Sequence, residues 1–237
     1  MTAARIQSVS PDARPDAQRS EVRAQNPLRD HFARTRIIEA AAKVFPKKGI
    51  QATTVEDLLA AADVCRRTFY RLFSSKYDAL DALHEVMTSM LMEERRAAYS
   101  VQEPPWKKLE RMVDTTVGFA RRNRALVRML HGEAQRPDSP LATRRLAFLD
   151  TLATEFAENL SDVIGLRPDP FVLRGLLFAH EGILHSMLDV EPVDDATVAR
   201  AKAAIIRLTA ATLSAQGAHL PPLPLDTTAR SHRSEKG

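Results

Sequence analysis

Arg66-Arg67-Thr68 open a short segment whose next polar groups are Tyr70 and Arg71, with Lys76 five positions further on. Arginine presents a planar fork that can hydrogen-bond guanine O6 and N7 together, and hydroxyl and cationic groups beside it suit phosphate oxygens. That is chemistry for reading duplex DNA. Phe69 and Phe73, four apart, share one helical face toward a core, which leaves Tyr70 and Arg71 projecting outward. Lys76 stands at a helix start, where the macrodipole disfavours a cation, so a phosphate contact is the economical expectation for it.

A second constellation is His180-Glu181 with His185. A zinc-binding pair on a helix places its histidines four apart. Here they are five apart and rotate off a common face, so the expectation is a polar group in an effector pocket or a satisfied buried histidine, with no metal and no cofactor. Cys65 is the one cysteine, which excludes an intrachain disulfide and a cysteine-based zinc site. Arg66, Arg67 and the helix start beside it could lower its thiol pKa, although a small residue at a helix start is the plainer expectation.

The elements that hold these groups are helical. The 237 residues include 44% hydrophobic and 27% charged positions, an ordinary globular balance. Only 8 glycines and 5% aromatics disfavour sheets and any glycine-rich phosphate loop. The net charge of +4 is uneven: residues 1–76 carry 14 Lys and Arg against 8 Asp and Glu, and residues 77–237 carry 20 against 22. A basic first third suits a polyanionic partner. Residues 1–30 hold no apolar run of the signal-peptide kind, and the Phe171–Leu188 stretch is broken by Arg174, His180, Glu181 and His185. A cytoplasmic protein with no membrane contact is expected.

Periodicity predicts an all-α chain of nine helices with no strand. The first covers about Phe32 to Phe45, ended by Pro46 and Gly49. The second starts at Thr53-Thr54, with Glu56 and Asp57 placed for capping. Asp63 turns the chain into a third helix, Arg66 to Phe73, and Ser74-Ser75-Lys76 opens a long fourth to Tyr99. Pro104-Pro105, Asp138-Ser139-Pro140, Pro168-Asp169-Pro170 and Pro192-Val193-Asp194-Asp195 open the fifth, seventh, eighth and ninth. The sixth is short and follows the basic run Arg121-Arg122-Asn123-Arg124. Four regions result: a disordered basic arm over 1–30, a helix-turn-helix head over 31–76, a helical effector-binding and dimerisation body over 77–217, and a disordered tail over 218–237. In the head, two short helices on a tight turn place the N-terminal residues of the second in the major groove.

Residues 34–83 resemble the DNA-binding domain of the tetracycline-repressor (TetR/AcrR) family. The resemblance is carried by Arg36-Ile37-Ile38-Glu39-Ala40-Ala41, Phe45, Lys48-Gly49, Ala52-Thr53-Thr54-Val55-Glu56-Asp57-Leu58, Val64, Thr68-Phe69-Tyr70-Arg71, Phe73, Ser75-Lys76 and Leu80. It implies that Thr54 caps the second helix and touches phosphate, that Arg66 and Arg67 read bases beside Thr68, and that Tyr70 and Lys76 meet phosphate. Asp63 stands where glycine is frequent, Cys65 where serine is common, and Leu72 where Tyr or His often makes a phosphate contact that Arg71 could replace.

In the body, Gly175, Ala179, Gly182 and Ser186 form a small-residue stripe on the eighth helix, and the ninth is apolar almost all round, with Ala201, Ile205 and Leu208 on one side. A helix apolar all round buries two faces, which predicts a homodimer through these helices, as the resemblance also implies. Met90, Met112, Thr116, Phe119, Phe156, Phe178 and His180 are candidates for an apolar effector pocket, methionines suiting adaptable sites. The expected function is a ligand-responsive repressor, not an enzyme, that binds a palindromic double-stranded operator as a dimer and takes a small apolar effector. A related activator, or an all-helical small-molecule-binding protein with no operator, stays open.

Overall fold

The computed structural model describes residues 27–164 and 168–215. The expected disordered arm, apart from its last residues 27–30, and the expected tail lie outside the described residues. Within them the chain is all-α, with nine helices and no strand: α1 Pro27–Lys48, α2 Val55–Ala62, α3 Arg66–Leu72, α4 Lys76–Tyr99, α5 Pro105–Arg122, α6 Arg124–Ala134, α7 Pro140–Ile164, α8 Pro170–Asp189 and α9 Asp195–Ala215.

α1 departs from its expected bounds at both ends. It begins at Pro27 rather than near Phe32, so residues 27–30 are helix and not arm. Proline suits a first turn and Asp30 there complements the macrodipole. At the other end Pro46 sits inside the helix, which runs on to Lys48. Proline is this close to the end that its missing N–H forfeits only one late bond, and Phe45 before it is fully buried. The helix stops at Gly49, which takes φ 81° and donates its N–H to the Phe45 carbonyl at 2.9 Å. That backbone conformation suits glycine.

α2 shows the expected cap. Thr54 Oγ1 accepts the Asp57 N–H at 3.3 Å, and the Asp57 carboxylate accepts the Thr54 N–H at 2.7 Å. The helix ends at Asp63, in the left-handed region at φ 49°. Arg36 of α1 holds that residue, its Nη2 donating to the Asp63 carbonyl at 2.9 Å and carboxylate at 2.8 Å. The turn thus holds a non-glycine residue in the left-handed region with a side chain from another helix gripping its backbone carbonyl and one carboxylate oxygen.

The core of the head does not stop at the head. Ile37, Phe45, Leu58, Phe69 and Phe73 share one buried cluster with Leu80 and Leu83 of α4, Phe119 of α5, Leu130 of α6 and Leu141 of α7. A second cluster joins α5, α8 and α9 through Val117, Leu188, Ala201 and Ile205, and a third joins α4, α7 and α8 through Met92, Leu149, Leu173 and Leu176. α4, 24 residues long, spans about 36 Å at 1.5 Å per residue and enters the first and third clusters.

The basic run after α5 is absorbed by ion pairs within the chain. Arg121 meets Asp195 at 2.7 Å and Arg122 meets Glu94 at 2.6 Å. Arg124 caps the end of α8, donating to the carbonyls of Leu188 at 2.8 Å and Val190 at 3.1 Å. No helix among the described residues is long and apolar enough to cross a membrane.

Because one buried cluster runs from α3 into the body, Leu80→Ala at its centre is expected to cost about 2–5 kcal/mol. Denaturant unfolding followed by far-ultraviolet circular dichroism should show one transition moved to lower midpoint. Separate melting of residues 27–75 and the rest would contradict the shared core.

Candidate DNA interface and ligand cavity

The segment expected to read DNA is α3. Phe69 is fully buried and Phe73 nearly so, which presses one face into the head and turns Arg66, Arg67, Tyr70 and Arg71 to the outside. Cys65, ahead of the helix, is exposed and makes no side-chain cap. Its Sγ lies 3.2 Å from Thr68 Oγ1, and contacts from the Thr68 hydroxyl and backbone pull the thiol pKa below its usual value.

The outward groups differ in how they are held. Arg67 has no ion-pair partner among the described residues and projects into solvent. Arg66 pairs with Glu56 of α2 and lies 5.9 Å from the Tyr70 ring. Arg71 pairs with Asp30 in the first turn of α1. That carboxylate is invisible to a sequence reading that leaves residues 27–30 in a disordered arm. Exposed ion pairs of this kind are worth about 0–1 kcal/mol, so a phosphate or base can displace the carboxylate at little cost. Tyr70 is 47% exposed. Thr68 is half-buried and Thr54 is exposed, its hydroxyl donating to Asp57 at 2.8 Å. Asp57 also receives Lys48 at 2.5 Å, and the Lys48 ammonium together with Thr54 lowers its pKa to about 2. The cap therefore stays ionised at any ordinary pH.

Lys76 departs from its expected role. Its Nζ donates to the carbonyls of Ile50 at 2.8 Å, Gln51 at 2.9 Å and Thr53 at 2.8 Å. An ammonium has three protons, and all three are spent on the loop between α1 and α2. The structural reason for a cation at the start of α4 is this clamp rather than a phosphate.

The second site lies in the body. A cavity of about 200 Å³ opens between α4, α5, α7, α8 and α9. Of the candidate pocket residues, Met112, Thr116, Phe156 and His180 line it. Phe119 is buried and lines a neighbouring cavity of about 160 Å³, which shares Leu91, Thr116, Phe148, Glu181 and Leu184 with the first. Two candidates fall outside. Met90 is 45% exposed on the outer side of α4, and Phe178 is 37% exposed, with the Arg145 guanidinium 5.0 Å from its ring centre. Both were placed by residue type, which does not fix the face of a helix. Arg95, Tyr99 and Trp106, absent from the candidates, line the larger cavity. Arg95 falls at i+4 from Leu91, on the face that carries the wall, and this spacing was the available signal.

The three residues of the histidine string go separate ways. His180 Nε2 lies 2.9 Å from Thr209 Oγ1, whose own proton goes to the Ile205 carbonyl at 2.8 Å. The hydroxyl oxygen is therefore left to accept from Nε2–H. Burial, and then the charge of Arg95, lower the His180 pKa to about 4, so the ring is neutral. Glu181 receives Arg145 through both oxygens and His131 at 3.1 Å. Burial raises its pKa, but these partners outweigh that and hold it below the usual carboxylate range. His185 stacks 4.2 Å from the His131 ring. Among the described residues no cluster could hold a metal ion.

The small-residue stripe of α8 lies open: Gly175, Ala179, Gly182 and Ser186 are exposed, and a Cβ added at either glycine would meet no atom within 4 Å. The α9 candidates behave otherwise. Ala201 and Ile205 are buried within this chain against α5 and α8, and Leu208 packs half-buried on the third cluster. The side of α9 chosen for a partner is the side that faces its own core.

Residues 37–83 match the family model of bacterial regulatory proteins of the tetR family. Curated relatives include the repressor KstR2 of Rhodococcus jostii, 27% identical over 53% of this chain and 60% of that one, and the nucleoid occlusion factor SlmA of Actinobacillus pleuropneumoniae, 31% identical over 47% and 56%. An uncharacterised helix-turn-helix regulator of Bacillus subtilis, YvdT, is 25% identical over 39% and 47%. The chain spans about half the length of the curated relatives it matches. Among solved structures, Thermus thermophilus FadR in complex with lauroyl-CoA matches with TM-score 0.59 at 24% identity, over 81% of this chain and 98% of that one. A regulator from a Rhodococcus species matches with TM-score 0.61 at 15% identity, over 77% and 98%. At these identities the structural likenesses show the fold alone.

Lys76→Met leaves three carbonyls without their charged donor and is expected to destabilise the DNA-free protein by about 1.5–3 kcal/mol. Thermal denaturation without DNA checks this. A lysine that only met phosphate would leave the melting temperature unchanged.

Proposed function

We propose, from the premise that this chain belongs to the tetR family of bacterial regulatory proteins and is a DNA-binding transcriptional regulator, that it works in the cytoplasm as a dimeric, ligand-responsive repressor. Members of the family are transcription factors and not enzymes. On this reading residues 31–76, with the first turn of α1, form the DNA-binding head, and residues 77–217 form the effector-binding and dimerisation body. Arg66 and Arg67 read base edges in the major groove, and Thr54, Thr68, Tyr70 and Arg71 meet the flanking backbone. Lys76 serves by holding the loop ahead of α2.

The observation that carries the ligand-responsive part is the course of α4. Its first residue clamps the head, and its Leu91, Arg95 and Tyr99 line the body cavity. A ligand that binds one placement of α4 better than another moves the head with it. Coupling of this kind needs differential affinity for two states, typically about 1–3 kcal/mol. The solved relative from Thermus thermophilus is named as a repressor holding an acyl-CoA, which supports a repressor with a lipophilic effector.

A dimer supports a palindromic operator, with two copies of α3 in successive major grooves about 34–36 Å apart. The exposed stripe of α8, flanked by Phe171 at 84% exposure, is the face offered to the second copy. Close approach of two helices needs small residues at the crossing, and among the described residues no atom lies within 4 Å of a Cβ placed at Gly175 or Gly182.

Gel-shift assays with the DNA upstream of the gene test the reading. Affinity should fall linearly in log salt, with a slope near −0.9 per phosphate met. Arg67→Ala and Arg66→Ala should each relax base preference by about 1–3 kcal/mol at one position. Unchanged operator selectivity in both variants, or no salt-sensitive binding to any promoter fragment, would sink it. For the dimer, Gly182→Leu fits the isolated chain and suits a helix better than glycine. Sedimentation should therefore show folded monomers, and an intact dimer would refute the α8 interface.

A further inference from the structure

We propose that the body cavity is a site for a small apolar monocarboxylate, whose carboxylate is received by the free edge of the Arg95 guanidinium while its hydrocarbon body fills the space between α5, α7 and α8. The proposal rests on the ligand-responsive reading of that same cavity and names its ligand class.

Arg95 is a strange residue to build into an apolar wall. Its neighbours around the cavity include Leu91, Met112, Leu149, Phe156 and Leu177. Nη1 donates to Thr116 Oγ1 at 2.9 Å, and that hydroxyl passes its own proton to the Met112 carbonyl at 2.9 Å. Nε is buried and has no hydrogen-bond partner among the described residues. Leaving a buried charged donor unmade is costly. The open Nε belongs to the edge, shared with Nη2, that takes a carboxylate through two parallel hydrogen bonds. Nη1 is held by Thr116, which limits how far the guanidinium can turn; Nε itself is covered by the surrounding wall, so a carboxylate meets it as the wall parts to admit the ligand.

The charges around the cavity agree. Lys108 also lines it, 4.6 Å from the Tyr99 ring, which adds a second cation. The lining carboxylate is Glu181, whose charge is taken up by Arg145 and His131. Glu155 is close enough to act on the Arg95 charge, but its ion pair is with Arg96 at 3.5 Å. Glu103 likewise acts on Lys108 from a distance, but neither Arg95 nor Lys108 has a direct ion pair among the described residues, so the apolar walls carry two cations open to a carboxylate on a hydrocarbon. His180 stands near Arg95 and is neutral because of burial and that cation. An incoming carboxylate would offset the cation and raise the His180 pKa.

Size restricts the class. A volume of about 200 Å³ is about seven water-sized groups at about 30 Å³ each, which limits it to short- and medium-chain acids, octanoate standing at the upper end.

Calorimetry on the full chain at neutral pH, with octanoate, methyl octanoate and octanol as probes, tests the site. Octanoate should bind at least about tenfold more tightly than its ester, since only the ionised acid meets the charged donor. Arg95→Met should bring that ratio to about one while leaving ester binding in place, and Arg95→Lys, which keeps charge but loses the fork, should restore only part of it. The His180 ring resonance should report a pKa above its unliganded value with octanoate and not with the ester. Equal binding of acid and ester to the wild type would mean that water satisfies Nε, and it would overturn the proposal. So would an acid preference that survives Arg95→Met. A gel shift separates this from the regulatory reading. Octanoate bound through Arg95 with no effect on DNA affinity upholds the site and refutes ligand response. A neutral effector that releases DNA, with no octanoate binding, refutes the site and leaves the regulator intact.

Discussion

The three hydrogen bonds from the Lys76 ammonium to the carbonyls of Ile50, Gln51 and Thr53 set the geometry on which the rest depends. They fix the loop that ends α1 to the first residue of α4. Thr53, in that loop, is buried, and its hydroxyl closes on the Gly49 carbonyl at 2.7 Å. Thr54 follows immediately and caps α2. α2 then meets α3 through the Asp63 turn that Arg36 grips. A chain of short polar contacts therefore runs from the start of α4 to the recognition helix, with no flexible step between. Burial does the remainder: Phe69 and Leu80 sit in one cluster, so α3 cannot turn on α4 without opening a cavity.

The head and the body face opposite physical problems. The head presents charge to solvent and holds it in exposed ion pairs, as at Arg66 with Glu56 and Arg71 with Asp30, which on the proposed reading DNA would replace. Such pairs keep long side chains near their working positions without costing much to break. The body buries its charge. The Arg145–Glu181–His131 group is closed, each partner satisfying another. Arg95 stands a short way off with one donor open. Two largely enclosed arginines therefore differ in their hydrogen bonding: Arg145 is satisfied by Glu181, while the Nε of Arg95 is without a partner among the described residues.

Much of this was legible in the sequence, and the reasons differ by residue. The caps at Thr54 and Ser75, the turn at Asp63 and the proline-initiated helices rest on local backbone chemistry, which a sequence carries in full. The outward-facing positions of α3 follow from Phe69 and Phe73, since two large buried residues fix the opposite face. What failed depended on distance along the chain. Lys76 was assigned from its position against the macrodipole, and its true partners lie 23 to 26 residues earlier. Asp30 meets Arg71 across 41 residues. Met90 and Phe178 were apolar enough for a pocket but stand on outer faces. Arg95 was passed over because a lone arginine in an amphipathic helix reads as solvated surface. Only the packing of five helices around it removes the solvent.

α4 connects these two regimes, and its length makes the connection mechanical. From Lys76 to Arg95 the helix rises about 28 Å at 1.5 Å per residue. It is uninterrupted by glycine or proline, so it transmits a tilt rather than absorbing it in a kink. On the proposed reading, a ligand at Arg95 would act at one end of the rod, and the Lys76 clamp would convert movement at the other end into displacement of α2 and α3 together. The shared core from Phe69 to Leu141 resists such movement in part, which favours two discrete placements over a continuous range. On the same reading, the unpartnered Nε of Arg95 would cost the unliganded placement, and a ligand that satisfies it would remove that cost only in the placement where Arg95 and the cavity walls meet it together; that difference would be the free energy available to move the head.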